Sequence, residues 1–136
     1  MRVYLAHNFV ARNWLKNEVI PHLEKHGHEV VSNWITDDRH LNSDWKVESA
    51  VQDLQDIESC SAIIFFAEQV GETPGAGKFV ELGYAIRAGK IVIVVGDGRC
   101  VFYNLPTVRH VAFDKYWWEN IITMLGELNA DSKTIR

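Results

Sequence analysis

Ala62-Ile63-Ile64-Phe65-Phe66-Ala67 and, after one intervening turn and helix, Ile91-Val92-Ile93-Val94-Val95 decide the fold. Both are unbroken apolar runs of strand length, and a strand with no polar side chain has no face to offer to water. Such strands lie in the middle of a parallel sheet covered by helices on both sides. The glycine-containing turn and apolar helical pattern between them supply the crossover that parallel neighbours require. Outward from this pair, residues 2–6, 29–33 and 108–113 read as three further strands, and residues 12–26, 45–59, 80–88 and 116–128 as helices. Leu15, Val19 and Leu23 recur at helical spacing ahead of Gly27, a good helix stop. Val47, Ala50, Val51, Leu54 and Ile57 form one stripe with Asp53 on its edge, where side chains tend to look into a cleft. Gly89 ends the third helix, and the polar tail 129–136 is expected to fray. The expectation is one α/β domain over residues 1–136, Rossmann-like or flavodoxin-like. Its five parallel strands should run in the order 2-1-3-4-5 with helices on both faces.

Composition narrows the function classes. The chain has 136 residues, 47% of them hydrophobic, enough for one core. Its formal charge of −4 is spread without a basic run, which argues against a nucleic-acid polymer as partner. Residues 1–6 are too short for a secretory leader and no segment is long enough to cross a bilayer, so a soluble, cytoplasmic protein with no membrane partner is expected. Cys60 and Cys100 stand apart from each other and from histidines, and read as free thiols. His26, His28, His40 and His110 show no ligand-like spacing, so no metal is expected.

In an open parallel sheet, ligands bind beyond the carboxyl ends of the strands where the strand order reverses. The loops 7–11, 68–78 and 96–105 therefore frame any site, and His7 enters it from the first. Glu81 stands where the turn Pro74-Gly75-Ala76-Gly77-Lys78 gives way to a helix. A carboxylate in a first helical turn is kept ionised by the helix dipole and the unpaired N–H groups, and is available as a nucleophile. Asp53 comes from another helix at the same sheet edge. Two acids in unlike environments can divide nucleophilic from proton-handling work, and their separation distinguishes double displacement from direct attack by water. Spacing alone fits equally well a Glu81 that caps its helix and a solvated Asp53. The turn 71–78 is no Walker A loop, because Gly71 lies one residue too far from Gly77-Lys78 and Phe79 fills the Ser/Thr position. Val80, where a third glycine should stand, removes the dinucleotide fingerprint as well. Tyr4 is either a buried strand aromatic or a hydroxyl aimed at a carboxylate. Trp34 and Trp45 flank a polar stretch, 35–44, long enough for a flap; an aromatic there either stacks on a nucleobase or fastens the loop to the domain.

Val3-Tyr4-Leu5-Ala6, Asp53-Leu54-Gln55-Asp56-Ile57 and Gly77-Lys78-Phe79-Val80-Glu81-Leu82-Gly83-Tyr84-Ala85, followed by Gly89-Lys90, resemble the nucleoside 2-deoxyribosyltransferase superfamily, which includes deoxynucleoside 5′-monophosphate N-glycosidases. The resemblance covers residues 1–115. It implies cleavage or exchange of the N-glycosidic bond of a nucleoside or nucleoside 5′-monophosphate, with no metal or organic cofactor. Glu81 matches the nucleophile that forms a glycosyl ester, Asp53 the acid that binds the sugar and supports proton transfer, and Tyr4 the tyrosine beside the nucleophile. Gly75 and Gly77 match the turn against the sugar or its 5′ substituent, and Lys78, His7 and Trp34 fall beside it as substrate contacts. Asn104 matches an asparagine lent by a neighbouring subunit, which implies a homodimer or larger homo-oligomer with a shared site. Two features depart from the family: Gly75 replaces a base-handling aspartate, and residues 133–136 contain no tyrosine. Both favour a hydrolase-like or divergent member, with Thr73, Lys78 or Arg12 as replacements for a phosphate-contacting serine. The alternative is a non-catalytic module that holds a nucleotide in the same cleft. Base, sugar and the need for phosphate stay open at this point.

Overall fold

A computed structural model describes residues 1–37, 45–73 and 75–134. Five strands, β1 (Arg2–Ala6), β2 (Glu29–Val30), β3 (Ala62–Phe66), β4 (Ile91–Val95) and β5 (Val108–Val111), form one sheet in the order β2-β1-β3-β4-β5. Every pairing is parallel, with Tyr4 opposite Ile63 and Phe65 opposite Val94 in register. All five residues of β3 are buried, as its composition requires.

The alternation of side chains along β1 divides the core into two layers. Val3 and Leu5 pack with Leu15, Val19 and Leu23 of the first helical segment and with Trp117, Ile121 and Leu125 of the last helix, α6 (Trp117–Thr134). Tyr4 and Ala6 face the other way, among Ile57 of α4 (Trp45–Ser59) and Leu82 and Ala85 of α5 (Ala76–Arg87). The first helical segment runs through α1 (Arg12–Trp14), a π-helical stretch (Leu15–Val19) and α2 (Ile20–Lys25). The wide turn falls just before Pro21, whose nitrogen has no hydrogen to give to a carbonyl in the preceding turn. Gly27 ends this segment at φ +84, a conformation that suits glycine, and the His28 N–H returns to the Leu23 carbonyl.

Four boundaries differ from the sequence expectation by more than a single residue. Strand β2 stops at Val30, because Asn33 is captured by Asp56 and opens the short helix α3 (Asn33–Thr36). Strand β5 ends at Val111, beyond which Ala112 and Phe113 are exposed. Helix α6 runs through Thr134, beyond the expected end at residue 128, and Leu128 packs on the core.

The fourth difference bears on the site: α5 begins at Ala76, well before residue 80. Gly75 is the extended N-cap (φ −72, ψ 135) and gives its N–H to the Asn8 carboxamide oxygen at 3.1 Å. Gly77 lies inside the first turn. Glu81 is therefore in the second turn, and the argument from unpaired first-turn N–H groups does not apply to it. Among the described residues, no helix is long and apolar enough to cross a membrane. Cys60 and Cys100 are free thiols, as expected.

Candidate active site

A cleft of about 580 Å³ opens between the ends of β1 and β3, where the strand order reverses. Its walls come from four places: His7 and Asn8 after β1, Trp34 on α3, Asp53 on α4, and Gly75, Gly77, Lys78 and Glu81 at the start of α5. Asp53 and Glu81, which lie 28 positions apart in sequence, thus face one cavity.

Tyr4 lies beneath them. Strand alternation turns its ring toward α4 and α5, and the side chain is fully buried. Burial is the first cause that pushes its phenol far above the ordinary value, followed by the negative charges of Glu81 and Asp53 and by hydrogen bonding to Glu81. The hydroxyl thus stays protonated and can only donate toward the carboxylates. Its link to Glu81 is loose, since the hydroxyl meets no described acceptor at full hydrogen-bond geometry.

Asn8 was not singled out by sequence reasoning, yet it ties both ends of the α5 turn. Its Oδ1 accepts from Gly75 N–H, and its Nδ2 lies 3.5 Å from Glu72 Oε2. Asp56 was missed as well. This buried carboxylate accepts from Asn33 N–H (2.9 Å), Asn33 Nδ2 (3.0 Å) and Gln52 Nε2 (2.8 Å), and so pins α3 to α4 one turn beyond Asp53. A second acid three residues after Asp53 on the same helix was the available signal. Nothing in the sequence announced Asn8, whose partner Gly75 lies 67 positions away.

Lys78 and Arg12 serve the protein's own backbone. Lys78 is 3% exposed, its Nζ donates to the Phe66 carbonyl at 3.0 Å, and the rings of Phe65 and Phe79 lie 5.1 and 5.7 Å away. Burial lowers its pKa, opposed by Glu68 and Glu72. Arg12 gives Nε to Ile35 O at 2.6 Å and Nη2 to Asp37 O at 2.9 Å. Two of the three groups expected to contact a phosphate thus already hold α5 and α3 in place; Thr73, the third, is exposed on the cleft wall. Trp34 borders the cleft while its indole N–H is fastened to the Leu5 carbonyl at 2.9 Å, so one residue both staples and lines. The remainder of the expected flap, 38–44, and the Trp45 side chain lie outside the described residues.

His7 stacks on Phe66 (ring centroids 5.0 Å) with Trp14 against its edge (6.0 Å), and its Nδ1 accepts the Asn8 N–H at 2.7 Å. Burial, reinforced by the charge of Lys78, lowers its pKa to about 4. Asn104 does not join this cleft. It is exposed on the 3-10 turn Val101–Asn104, with Nδ2 3.4 Å from Val101 O. Among the described residues, no group of three His, Cys, Asp or Glu side chains is arranged to hold a metal ion.

No family model matches the chain, and no curated protein matches it in sequence. Solved structures do. The chain is similar to the CMP N-glycosidase of Clostridium botulinum, with a TM-score of 0.62 and 21% identity over 93% of this chain and 99% of that one. It is similar to the 2-deoxyribosyltransferase of Bacillus psychrosaccharolyticus, with a TM-score of 0.64 and 21% identity over 90% of each chain. It is also similar to the TIR domain of a Toll-related receptor from Hydra magnipapillata, with a TM-score of 0.61 and 20% identity over 89% of this chain and 94% of that one. Two of these proteins are named for reactions at glycosidic bonds and the third for a receptor. The likeness establishes the fold, and the side chains in the cleft must carry the chemistry.

Proposed function

We propose that this protein is a divergent enzyme of the nucleoside 2-deoxyribosyltransferase superfamily that cleaves or exchanges the N-glycosidic bond of a nucleoside or nucleoside 5′-monophosphate. The observation that carries the reading is the convergence of Asp53 and Glu81 on one cleft above the buried Tyr4 hydroxyl. Three residues from three elements, matching three positions of the family pattern, meet at the place where an open parallel sheet binds ligands. The likeness to the CMP N-glycosidase and the 2-deoxyribosyltransferase supports the same choice.

In the proposed reaction a Glu81 carboxylate oxygen attacks C1′ of the sugar. The C1′–N bond breaks, its electron pair leaves with the base, and the base takes up a proton as it departs. Asp53 binds the sugar and supports that proton transfer, while Tyr4 orients the Glu81 carboxylate. The resulting ester is then opened at C1′ by water, giving the free sugar, or by a second base, giving a new nucleoside; either step restores Glu81. Asn104 of a second copy reaching the 5′ end belongs to the same reading, as does a homodimer with a shared site.

Incubation with a panel of nucleosides and 5′-monophosphates, with and without a free acceptor base, tests the proposal by product separation. Free base alone identifies a hydrolase and a new nucleoside a transferase. Nucleotide binding without base release would replace the enzyme by a binding module.

A further inference from the structure

His7 sits at the exit of β1, between the α5 turn and Trp14, and its surroundings leave it one role. A backbone N–H can only donate, so the 2.7 Å contact from Asn8 N–H makes Nδ1 of His7 an acceptor and places the ring proton of the neutral imidazole on Nε2. Stacking on Phe66 at 5.0 Å, with the rings 23° from parallel, and the Trp14 edge at 6.0 Å fix the plane of the ring. The charged groups around it are Lys78, Asp37, Asp53 and Glu81, which line the same cleft, and Glu72, which shares a small adjoining cavity with it. Lys78 is engaged with the Phe66 carbonyl and Glu72 with Asn8. No described acceptor takes the Nε2 hydrogen.

We propose that His7 is a specificity-determining residue that presents Nε2–H as a neutral hydrogen-bond donor of fixed tautomer, and so selects a substrate through an uncharged acceptor such as a base carbonyl or an unprotonated ring nitrogen. This rests on the nucleoside reading of the cleft given above. The same imidazole, held neutral by burial and Lys78, is too weak a base to carry a proton at neutral pH and does not act as the acid that protonates the leaving base. It offers no positive charge to a phosphate. Rotation of the ring to put Nδ1–H into the cleft would break the Asn8 contact.

The test records 15N–1H correlation spectra of the labelled full chain between pH 5 and 8, with His7 assigned through the His7→Gln variant. 2′-Deoxycytidine, 2′-deoxyadenosine and their 5′-monophosphates are then added in turn. The expected result is an Nε2–H tautomer with no ionisation over that range, and a shift of its resonance on adding at least one of the four. For a compound that is turned over, His7→Phe should lower kcat/KM about tenfold, mainly through KM, and His7→Gln, which keeps an N–H, should restore most of it. An Nδ1–H tautomer, ionisation near the ordinary histidine value, or a Phe variant as good as the Gln variant overturns the proposal. Silence of the Nε2–H toward a compound that is nevertheless cleaved overturns it alone. A shift without any cleavage upholds the donor and removes the catalytic reading instead. No shift and no cleavage with all four removes both.

Discussion

The carboxamide oxygen of Asn8 accepts the Gly75 N–H at 3.1 Å and stands 3.2 Å from where a Cβ on residue 75 would be. Gly75 has an ordinary extended conformation, so backbone strain does not explain the glycine; the close approach of Asn8 does. Asn8→Ala should therefore release the start of α5 and destabilise the fold by about 1 kcal/mol, the usual worth of such a hydrogen bond. Gly75→Ala should cost less than about 1 kcal/mol, since the carboxamide can give by a few tenths of an ångström. Urea unfolding of the two variants checks both values. Because Glu81 rides on α5, Asn8→Ala should also depress kcat/KM more than its loss of stability explains.

Removal of the Tyr4 hydroxyl separates its electrostatic role from packing. Tyr4→Phe keeps the buried ring and deletes a group that meets no full hydrogen bond, so the change in unfolding free energy should stay within about 1 kcal/mol. Turnover should fall about tenfold, equal to about 1.4 kcal/mol of lost transition-state stabilisation if the hydroxyl orients Glu81. Ultraviolet titration offers a second check. Because burial and the two carboxylates raise the Tyr4 pKa, wild type and Tyr4→Phe should show the same number of tyrosines ionising before alkaline unfolding.

Asp56→Ala should be among the most damaging single changes. It abolishes three hydrogen bonds inside a buried site and frees α3, at a cost of about 3 kcal/mol. Hydrogen exchange should report the loss at Asn33 N–H first.

The pH dependence of stability follows from His7. Its pKa in the folded protein is lowered to about 4 by burial and then by Lys78, whereas in the unfolded chain it is ordinary, near 6.5. Between these values the unfolded chain binds the proton and the folded one does not, so stability falls as pH drops from about 6.5 to about 4 and the His7 contribution levels off below. His22 and His28 are shifted the same way, so the informative quantity is a difference. The fall in urea midpoint from pH 7 to pH 4.5 should be smaller in His7→Gln than in wild type.

The strands were legible because burial on both faces leaves an unmistakable trace in β3 and β4, and the observed strand order is the one expected. The start of α5 was not. Gly75 and Gly77 look like breakers to any local reading, and the groups that hold a helix there, the Asn8 carboxamide and the Phe66 carbonyl bonded to Lys78, come from the loop after β1 and from the end of β3. The same holds for β2, cut short by a carboxylate 23 positions from Asn33. Tyr4, Asp53 and Glu81 were placed together by pattern. Lys78 and Arg12 bond backbone carbonyls that no local pattern displays, since a sequence shows a charge and not its partner.

The central claim is a covalent sugar on Glu81, and intact-protein mass spectrometry tests it most directly. A slow fluorinated 2′-deoxynucleoside whose base the enzyme releases should leave the chain heavier by one fluorinated sugar, located by fragmentation to the peptide containing Glu81 and missing from Glu81→Gln. Continued release of the base with the mass of the chain unchanged would contradict the account.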